Sequence, residues 1–259
     1  MYFSNNKYRN SYNMDTKINI FENPQEVAEQ FAQKLHHFFQ TNEPGIKGTY
    51  NIAFSGGNTP KILFDELAAN YKDKLPWDKI NFFFVDERFV PHDDPESNYG
   101  MTKKHLLDKI NFPVEQVFPV DTSGDPEEEP NEYATYVFAK VPQQFGVPRF
   151  HLIVLGMGED GHTASIFPDQ IMKIHSDKIC DSAVHPVTKQ QRITFTGKLI
   201  NNAENIFVLT TGENKAAMVD MVFNQEMEGK RYPIAHIMPI LGNMEWYLDK
   251  AAAKYIKQE

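Results

Sequence analysis

Residues 150–168 read FHLIVLGMGEDGHTASIFP, and this stretch decides the fold class. Its first part, Phe150–Leu155, predicts a strand, and a glycine-rich turn follows at once. Continuous apolar strands are typical of a parallel sheet that is covered on both faces. The pattern occurs twice earlier, at Ile80–Val85 before Asp-Glu-Arg and at Tyr50–Phe54 before Ser-Gly-Gly. Strands that alternate with helices predict an α/β fold with a doubly wound, mainly parallel sheet.

The first predicted helix begins at a clear capping signal. Asn23 is a good N-cap, Pro24 suits the first helical position, and Glu26 completes an Asn-x-x-Glu capping box. Apolar residues then recur at helical spacing and predict one core-facing stripe, which contains Val27, Phe31, Leu35 and Phe38.

Further elements follow the same logic. A second helix is predicted to start with Thr59 as its cap and Pro60 in its first position, with Ile62, Leu63 and Leu67 on one face. Two later strands are predicted at Arg192–Thr196 and Asn205–Thr210, and the second leads into a helix that carries Met218, Met221 and Val222.

Composition excludes several classes of protein. The 259 residues include 41% hydrophobic and 24% charged residues, which indicates a globular protein and excludes a disordered or collagen-like one. No apolar run reaches the roughly 18–20 residues that a membrane span needs. With 26 basic and 35 acidic residues the net charge is −9, which argues against a nucleic-acid partner.

The chain is predicted to form one domain over residues 18–259, since no repeat or linker divides it. Residues 1–17 are expected to be a disordered extension, because they show no periodic pattern and no signal-peptide organisation. The acidic turn 125–132 is interpreted as a solvated helix start. Cys180 is the only cysteine, so it forms no disulfide within the chain. It is interpreted as a semi-buried small hydrophobe, and a cytoplasmic location is expected.

The unusual loops of this chain all follow predicted strands, and ligands bind at the carboxyl ends of strands in open parallel sheets. The first such loop comprises Ser55, Gly56, Gly57, Asn58 and Thr59. Glycine backbone N–H groups, hydroxyls and a helix N-terminus together suit a phosphate or carboxylate. An ordinary tight turn with a helix cap explains the same residues.

Ser55 also lies in a sequence close to the G-x-S-x-G turn that presents a nucleophilic serine. In that motif the helix starts directly after the serine, whereas here the cap and Pro60 delay it. No acid and histidine in the expected order stand out. The serine-nucleophile hypothesis is therefore the less favoured one.

The second loop begins with Asp86, Glu87 and Arg88. Charges at the end of an apolar strand are costly to bury without partners, so they lie either at a rim or in a ligand cleft. The planar guanidinium of Arg88 suits an anion. A surface salt-bridge cluster is the alternative interpretation.

The third loop is the most informative. Gly156, Gly158 and Gly161 predict a tight turn that exposes backbone N–H donors, and Asp160 and His162 lie two residues apart within it. An imidazole beside an orienting carboxylate suits a general base at neutral pH. Asp160 alternatively serves only to cap the turn.

Two cations follow the later strands. Arg192 and Lys215 are both candidates to reach an anion held by the first loop, and a surface lysine is the alternative interpretation of Lys215. The histidines and the single cysteine show no spacing typical of a metal site.

Taken in order, these segments resemble the 6-phosphogluconolactonases, within the superfamily that also contains the glucosamine-6-phosphate deaminases. The segments are SGGNTP (55–60), VDERFVP (85–91), SNYG (97–100), GMGEDGHTASIFP (156–168), RITFT (192–196) and TGENKA (211–216). The resemblance covers roughly residues 18–259. The deaminases carry GHIAFNEP, with a catalytic glutamate, where this chain has GHTASIFP, so the lactonases are the better match.

The resemblance implies a NagB/RpiA-like, Rossmann-like fold and hydrolysis of 6-phospho-D-glucono-1,5-lactone to 6-phosphogluconate in the pentose phosphate pathway. It implies no cofactor and no metal. His162 would activate water, and Asp160 would orient the imidazole of His162. The oxyanion would be stabilised by Arg88 together with the backbone of Gly156, Gly158 and Gly161. The loop 55–59, Arg192 and Lys215 would bind the phosphate.

The expected partner is this small sugar-phosphate lactone, and no membrane or nucleic-acid partner is expected. The protein is expected to be a monomer or a homodimer. A catalytically silent sugar-phosphate sensor is the alternative from another class. Such sensors usually carry a DNA-binding segment, and residues 1–17 are too short to form one.

Overall fold

The computed structural model describes residues 6–9, 15–45, 48–224 and 226–256. The strands are β1 (Asn6–Arg9), β2 (Asp15–Phe21), β3 (Tyr50–Phe54), β4 (Ile80–Phe84), β5 (Asp86–Arg88), β6 (Val117–Phe118), β7 (Gln143–Gln144), β8 (Val147–Pro148), β9 (Leu152–Leu155), β10 (Cys180–Val184), β11 (Gln191–Phe195), β12 (Asn205–Thr210) and β13 (Asn243–Asp249).

The α-helices are α1 (Pro24–Thr41), α2 (Asn58–Asn70), α3 (Asn98–Thr102), α4 (Asp108–Ile110), α5 (Glu129–Lys140), α6 (Gly197–Ile200), α7 (Ala216–Asn224) and α8 (Glu226–Gly229). Short 3₁₀ segments lie at Trp77–Lys79, Val114–Gln116, Pro168–His175, Glu213–Lys215 and Pro233–His236. Lys103–Leu107 forms a π-helical turn.

The main sheet of the described residues has the strand order β1-β2-β13-β12-β9-β3-β4-β6. Strands β2 to β6 in this order run parallel, and β1 joins antiparallel at one edge. The predicted doubly wound, mainly parallel α/β sheet is confirmed.

Alternation along the strands sends side chains into two separate cores. Ile52 and Phe54 pack with the stripe of α1 and with α2, whereas Ala53 between them packs on the opposite face with α5, α6 and α7. All four predicted stripe residues of α1 are buried. Because both faces are covered, β3, β4 and β9 are buried at every position, as their apolar sequences predict.

One predicted strand belongs to a different sheet. The strand predicted at Arg192–Thr196 is β11, and it pairs antiparallel with β10 on one side and with β5 on the other. Only Val85 separates β4 from β5. Its N–H donates to the carbonyl of Phe54 in the main sheet, and its carbonyl accepts from the N–H of Phe195 in the small one. The chain therefore passes from one sheet to the other at a single residue.

The helix caps agree with the sequence in one case and differ in the other. Asn23 caps α1 by accepting from the N–H of Glu26 at 3.0 Å, while the carboxylate of Glu26 accepts from the N–H of Glu22. Helix α2 starts two residues earlier than predicted, with Gly57 rather than Thr59 as its N-cap. The φ angle of +112° at Gly57 is one that side chains rarely adopt, so glycine sets this start.

The first residues correct part of an expectation. Residues 15–17 belong to β2, which pairs with β13, so disorder does not extend to residue 17. Residues 6–9 form β1, and the remainder of 1–14 lies outside the described residues. The single domain over 18–259 stays a prediction. Within the described ranges, no helix is long and apolar enough to cross a membrane.

Candidate active site

The predicted loops meet where the winding of the main sheet reverses. From β3 the chain adds β4 and β6 on one side, then returns to place β9, β12 and β13 on the other. The carboxyl ends of β3 and β9 therefore flank the crevice at which α/β sheets bind ligands. A cleft of about 410 Å³ opens there.

Of the residues predicted from the sequence, all but Asp160 and Gly161 line this cleft. The lining residues are Ser55, Gly56, Gly57, Asn58, Thr59, Arg88, Gly156, Gly158, His162, Arg192 and Lys215.

His162 lines the cleft and is hydrogen-bonded to Asp160. Nδ1 of His162 lies 2.5 Å from Oδ1 of Asp160, and the same oxygen accepts from the His162 backbone N–H at 3.2 Å. Burial alone would raise the pKa of the Asp160 carboxyl, but the hydrogen bond and charge of His162 hold it below its ordinary value. An ionised carboxylate only accepts hydrogen bonds, so Nδ1 carries the proton and Nε2 is the basic nitrogen.

Two of the three turn glycines hold the turn together. The N–H of Gly158 donates to the carbonyl of His162 at 2.8 Å, and the N–H of Gly161 donates to the carbonyl of Gly158 at 3.1 Å. These N–H groups are occupied, so their predicted role as oxyanion donors is not supported. Gly161 has φ +76°, and a Cβ added there would lie 2.7 Å from the Tyr232 side chain.

The first loop is tied to β9 and to the residue that follows β12. The N–H of Ser55 donates to the carbonyl of Val154 in β9 at 2.9 Å, and the hydroxyls of Thr59 and Thr211 lie 2.8 Å apart. Asn98 presses on the loop so closely that a Cβ at Gly56 would lie 1.9 Å from its Oδ1. These contacts fix the loop at the mouth of the cleft.

Of the charged triplet after β4, Asp86 and Arg88 line the cleft, whereas Glu87 does not. Glu87 is fully buried and accepts from the backbone N–H groups of Asn98 and Tyr99 at 2.7 and 2.8 Å, at the start of α3. Burial raises the pKa of the Glu87 carboxyl, and these hydrogen bonds oppose the rise. Asp86 is also buried and accepts from the Ser165 hydroxyl at 2.6 Å. The alternative of a surface salt-bridge cluster is therefore wrong for both carboxylates.

Arg88 and Arg192 are directly opposite each other in the small sheet. Arg192 is 8% exposed, and burial followed by the neighbouring charge of Arg88 lowers the pKa of its guanidinium. Nε of each arginine is buried without a hydrogen-bond partner among the described residues. Two like charges held together with unused donors are suited to bind an anion.

Lys215 also lines the cleft, at the end of the 3₁₀ turn after β12. Burial lowers the pKa of its ammonium group, and the nearby carboxylates of Glu159 and Asp160 oppose this effect. The alternative of an ordinary surface lysine is wrong, since Lys215 is only partly exposed and lines the cleft.

Several lining residues were not assigned a role from the sequence, namely Asn98, Ser165, Phe167, His185 and Thr210. Buried polar atoms without a partner in the described chain include Oγ of Ser55, Oδ1 of Asn98 and Oγ1 of Thr210. Asn98 and Ser165 lie in segments that the sequence marks as unusual, whereas His185 lies in a turn with no such signal. Among the described residues, no three His, Cys, Asp or Glu side chains converge to hold a metal ion.

Comparison with known proteins adds independent information. The profile of a family described as glucosamine-6-phosphate isomerases/6-phosphogluconolactonase matches residues 21–246. A 6-phosphogluconolactonase of Haemophilus influenzae is 38% identical over 237 residues, which are 91% of this chain and 98% of the relative. A 6-phosphogluconolactonase of Homo sapiens is 32% identical over 92% of this chain and 93% of the relative. The solved 6-phosphogluconolactonase of Trypanosoma brucei superposes with a TM-score of 0.81 at 30% identity, covering 93% of this chain and 98% of that structure.

Proposed function

Since the chain belongs to the glucosamine-6-phosphate isomerase/6-phosphogluconolactonase family and is a lactone-hydrolysing enzyme of the 6-phosphogluconolactonase kind, we propose that it opens 6-phospho-D-glucono-1,5-lactone with a water molecule that His162 activates. The product is 6-phosphogluconate. We also propose that the protein is located in the cytoplasm and acts in the pentose phosphate pathway.

The hydrogen bond between Asp160 and Nδ1 of His162 is the observation that carries this mechanism. It leaves Nε2 as an acceptor on a residue that lines the cleft. A histidine held in one tautomer by a carboxylate is well suited to take a proton from water. Asp160 therefore acts in the proposal as an orienting residue rather than only as a turn cap.

The reaction proceeds in two proton transfers. Nε2 of His162 takes a proton from water as the water oxygen bonds to the lactone carbonyl carbon. The tetrahedral intermediate then collapses, the bond from that carbon to the ring oxygen breaks, and His162 returns its proton to the ring oxygen. The guanidinium of Arg88 supports the negative charge that develops on the carbonyl oxygen.

The phosphate group is assigned to other residues of the same cleft. The loop 55–59 supplies hydroxyls and the start of α2, and Arg192 and Lys215 supply positive charge. The unpartnered Nε of Arg192 and Oγ of Ser55 support this assignment, because buried polar atoms cost free energy until a ligand satisfies them.

The test is the conversion of freshly generated 6-phosphogluconolactone to 6-phosphogluconate above the spontaneous rate. We expect acceleration by the wild-type protein and a loss of about 10²- to 10⁴-fold in kcat for His162→Ala, with an unchanged melting temperature. Near-normal turnover by the variant would contradict the role of His162. No acceleration by the wild-type protein would contradict the function and redirect attention to amino-sugar phosphates.

Ser55→Ala tests the serine-nucleophile alternative in the same assay. We expect a partial defect, because the variant loses one hydroxyl at the phosphate end but keeps His162 and Asp160. Mass spectrometry of the quenched wild-type reaction is expected to find no acyl-enzyme. Complete inactivity of the variant together with a trapped acyl group on wild-type Ser55 would replace water with serine as the nucleophile.

A further inference from the structure

His185 is a cleft residue that the mechanism above does not use. It follows β10, where Ala183 pairs with Arg192 of β11, and its N–H continues the ladder by donating to the carbonyl of Gln190 at 2.9 Å. Paired residues share a face of a sheet, and side chains two residues apart share it as well. The strand register therefore places His185 on the same face as Arg192 and Arg88.

The backbone of the following turn determines which nitrogen of His185 carries the proton. Nδ1 accepts from the N–H groups of Val187 and Thr188, both at 3.2 Å. Backbone N–H groups only donate, so the neutral ring has its proton on Nε2. Among the described residues, Nε2 has no hydrogen-bond partner, and the ring packs edge-on against Phe167 at 5.1 Å between centroids.

We propose that the Nε2–H group of His185 donates a hydrogen bond to a phosphate oxygen of the bound substrate, beside the guanidinium of Arg192. This rests on the proposed function in that the substrate is a sugar phosphate. A phosphate is the ligand group that accepts several donors at once, and Arg192 on the same face has an unused Nε. His185 is then a substrate-binding residue whose orientation the turn 186–189 sets.

The charges around His185 agree with a neutral donor in the free protein. Burial, followed by the positive charge of Arg192, lowers the pKa of the imidazole. The other charged groups that face it are His162, Asp160 and Arg88. A bound phosphate would offset the arginine charge, so the pKa of His185 is expected to rise on binding.

The test measures the binding of inorganic phosphate and of 6-phosphogluconate by calorimetry, with unphosphorylated gluconate as the comparison ligand. His185→Asn keeps an acceptor near the Nδ1 position for the turn but has no donor that reaches as far as Nε2. We expect it to bind both phosphate ligands roughly tenfold more weakly than the wild type, with gluconate unaffected. His185→Gln, whose amide reaches as far as Nε2, is expected to recover part of the affinity.

A second readout separates binding from a structural role. The C2 proton of His185, assigned by its absence in His185→Asn, is expected to titrate at higher pH when inorganic phosphate saturates the protein. His37→Asn, a change at an exposed histidine of α1, is the matched control and is expected to alter neither measurement.

The outcomes are distinct from those of the proposed function. Unchanged phosphate affinity in His185→Asn, an equal loss for gluconate, an unmoved titration, or no phosphate binding by the wild-type protein would each overturn the inference. Failure of the wild-type protein to hydrolyse the lactone would overturn the proposed function, while His185-dependent phosphate binding would still stand.

Discussion

At the scale of single residues, the cleft is defined by polar atoms that the fold leaves without partners. Oγ of Ser55, Nε of Arg88 and Nε of Arg192 are buried and unpaired within the described chain. Each such atom costs about 1–3 kcal/mol, because burial removes its hydrogen bonds to water. A ligand that supplies acceptors recovers this free energy on binding, so the unbound cleft is prepared for an anionic, oxygen-rich molecule.

Removing one cation is therefore expected to affect binding more than chemistry. We expect Arg192→Ala and Lys215→Ala each to raise KM by about 10- to 100-fold with a smaller change in kcat, because each loses a charge-assisted hydrogen bond to the phosphate. Steady-state kinetics with the phosphorylated lactone checks this. Lys72→Ala, at an exposed lysine outside the cleft, is the control. An unchanged KM would remove that residue from the phosphate site.

At the scale of elements, the turn from Gly156 to His162 depends on the segment that lies behind it. The carbonyl of Gly161 accepts from the N–H of Ile234 at 3.2 Å, and the side chain of Tyr232 lies directly against Gly161. The position of His162 thus depends on a contact about 70 residues further along the chain. The glycine is required for two reasons, its φ of +76° and the absence of space for a Cβ.

Comparing two glycines separates these reasons. Gly146 has the same φ of +76° but open space where a methyl group would lie, whereas the same group at Gly161 would meet Tyr232. We expect Gly146→Ala to lower the free energy of unfolding by about 1–2 kcal/mol, and Gly161→Ala by about 1–3 kcal/mol more. Only the second is expected to reduce kcat as well. Urea unfolding and lactone hydrolysis measure both quantities, and equal costs would exclude the Tyr232 contact as the cause.

Elements with strong local signals were predictable, and those fixed by distant pairing were not. The apolar runs of β3, β4 and β9 predict buried strands, since burial on both faces removes the need for alternation. Because the strands are parallel, their carboxyl ends lie at one edge of the sheet, which predicts that the loops after them converge. The membership of β11 in the small sheet depends on its pairing with β5, a contact between residues about 100 positions apart. The role of His185 was not predicted for the same reason. It follows β10, which pairs with β11, and the pairing of β11 with β5 brings both strands to the cleft.

At the scale of the whole molecule, one carboxyl group links stability to pH near neutrality. Glu129, in the first turn of α5, is 5% exposed and accepts from the N–H of Asp121 at 2.9 Å. Burial raises its pKa to about 7, and the nearby carboxylate of Asp121 contributes to the rise. The acidic turn 125–132 is thus solvated only in part, because its fifth residue is buried.

The sign of this effect follows from linkage. A carboxyl group with a raised pKa in the folded state binds its proton more tightly when folded, so protonation stabilises the fold. The contribution is complete below about 4.5 and is lost as the pH rises through about 7. We expect the melting temperature to fall between pH 5 and pH 8, and to fall less in Glu129→Gln. Calorimetry with Glu128→Gln, at the exposed position just before Glu129, as the control checks this. Parallel curves for the wild type and Glu129→Gln would contradict it.

The single residue between the two sheets, Val85, limits the size of the ligand that the cleft accepts. Val85 is fully buried, and its backbone is hydrogen-bonded to a strand of each sheet. This one residue therefore sets the separation between the glycine loops on the main sheet and the two arginines on the small sheet. The width of the cleft is therefore a property of the backbone. Point substitutions alter which groups the cleft recognises, whereas accommodating a longer molecule requires a change in the number of residues between β4 and β5.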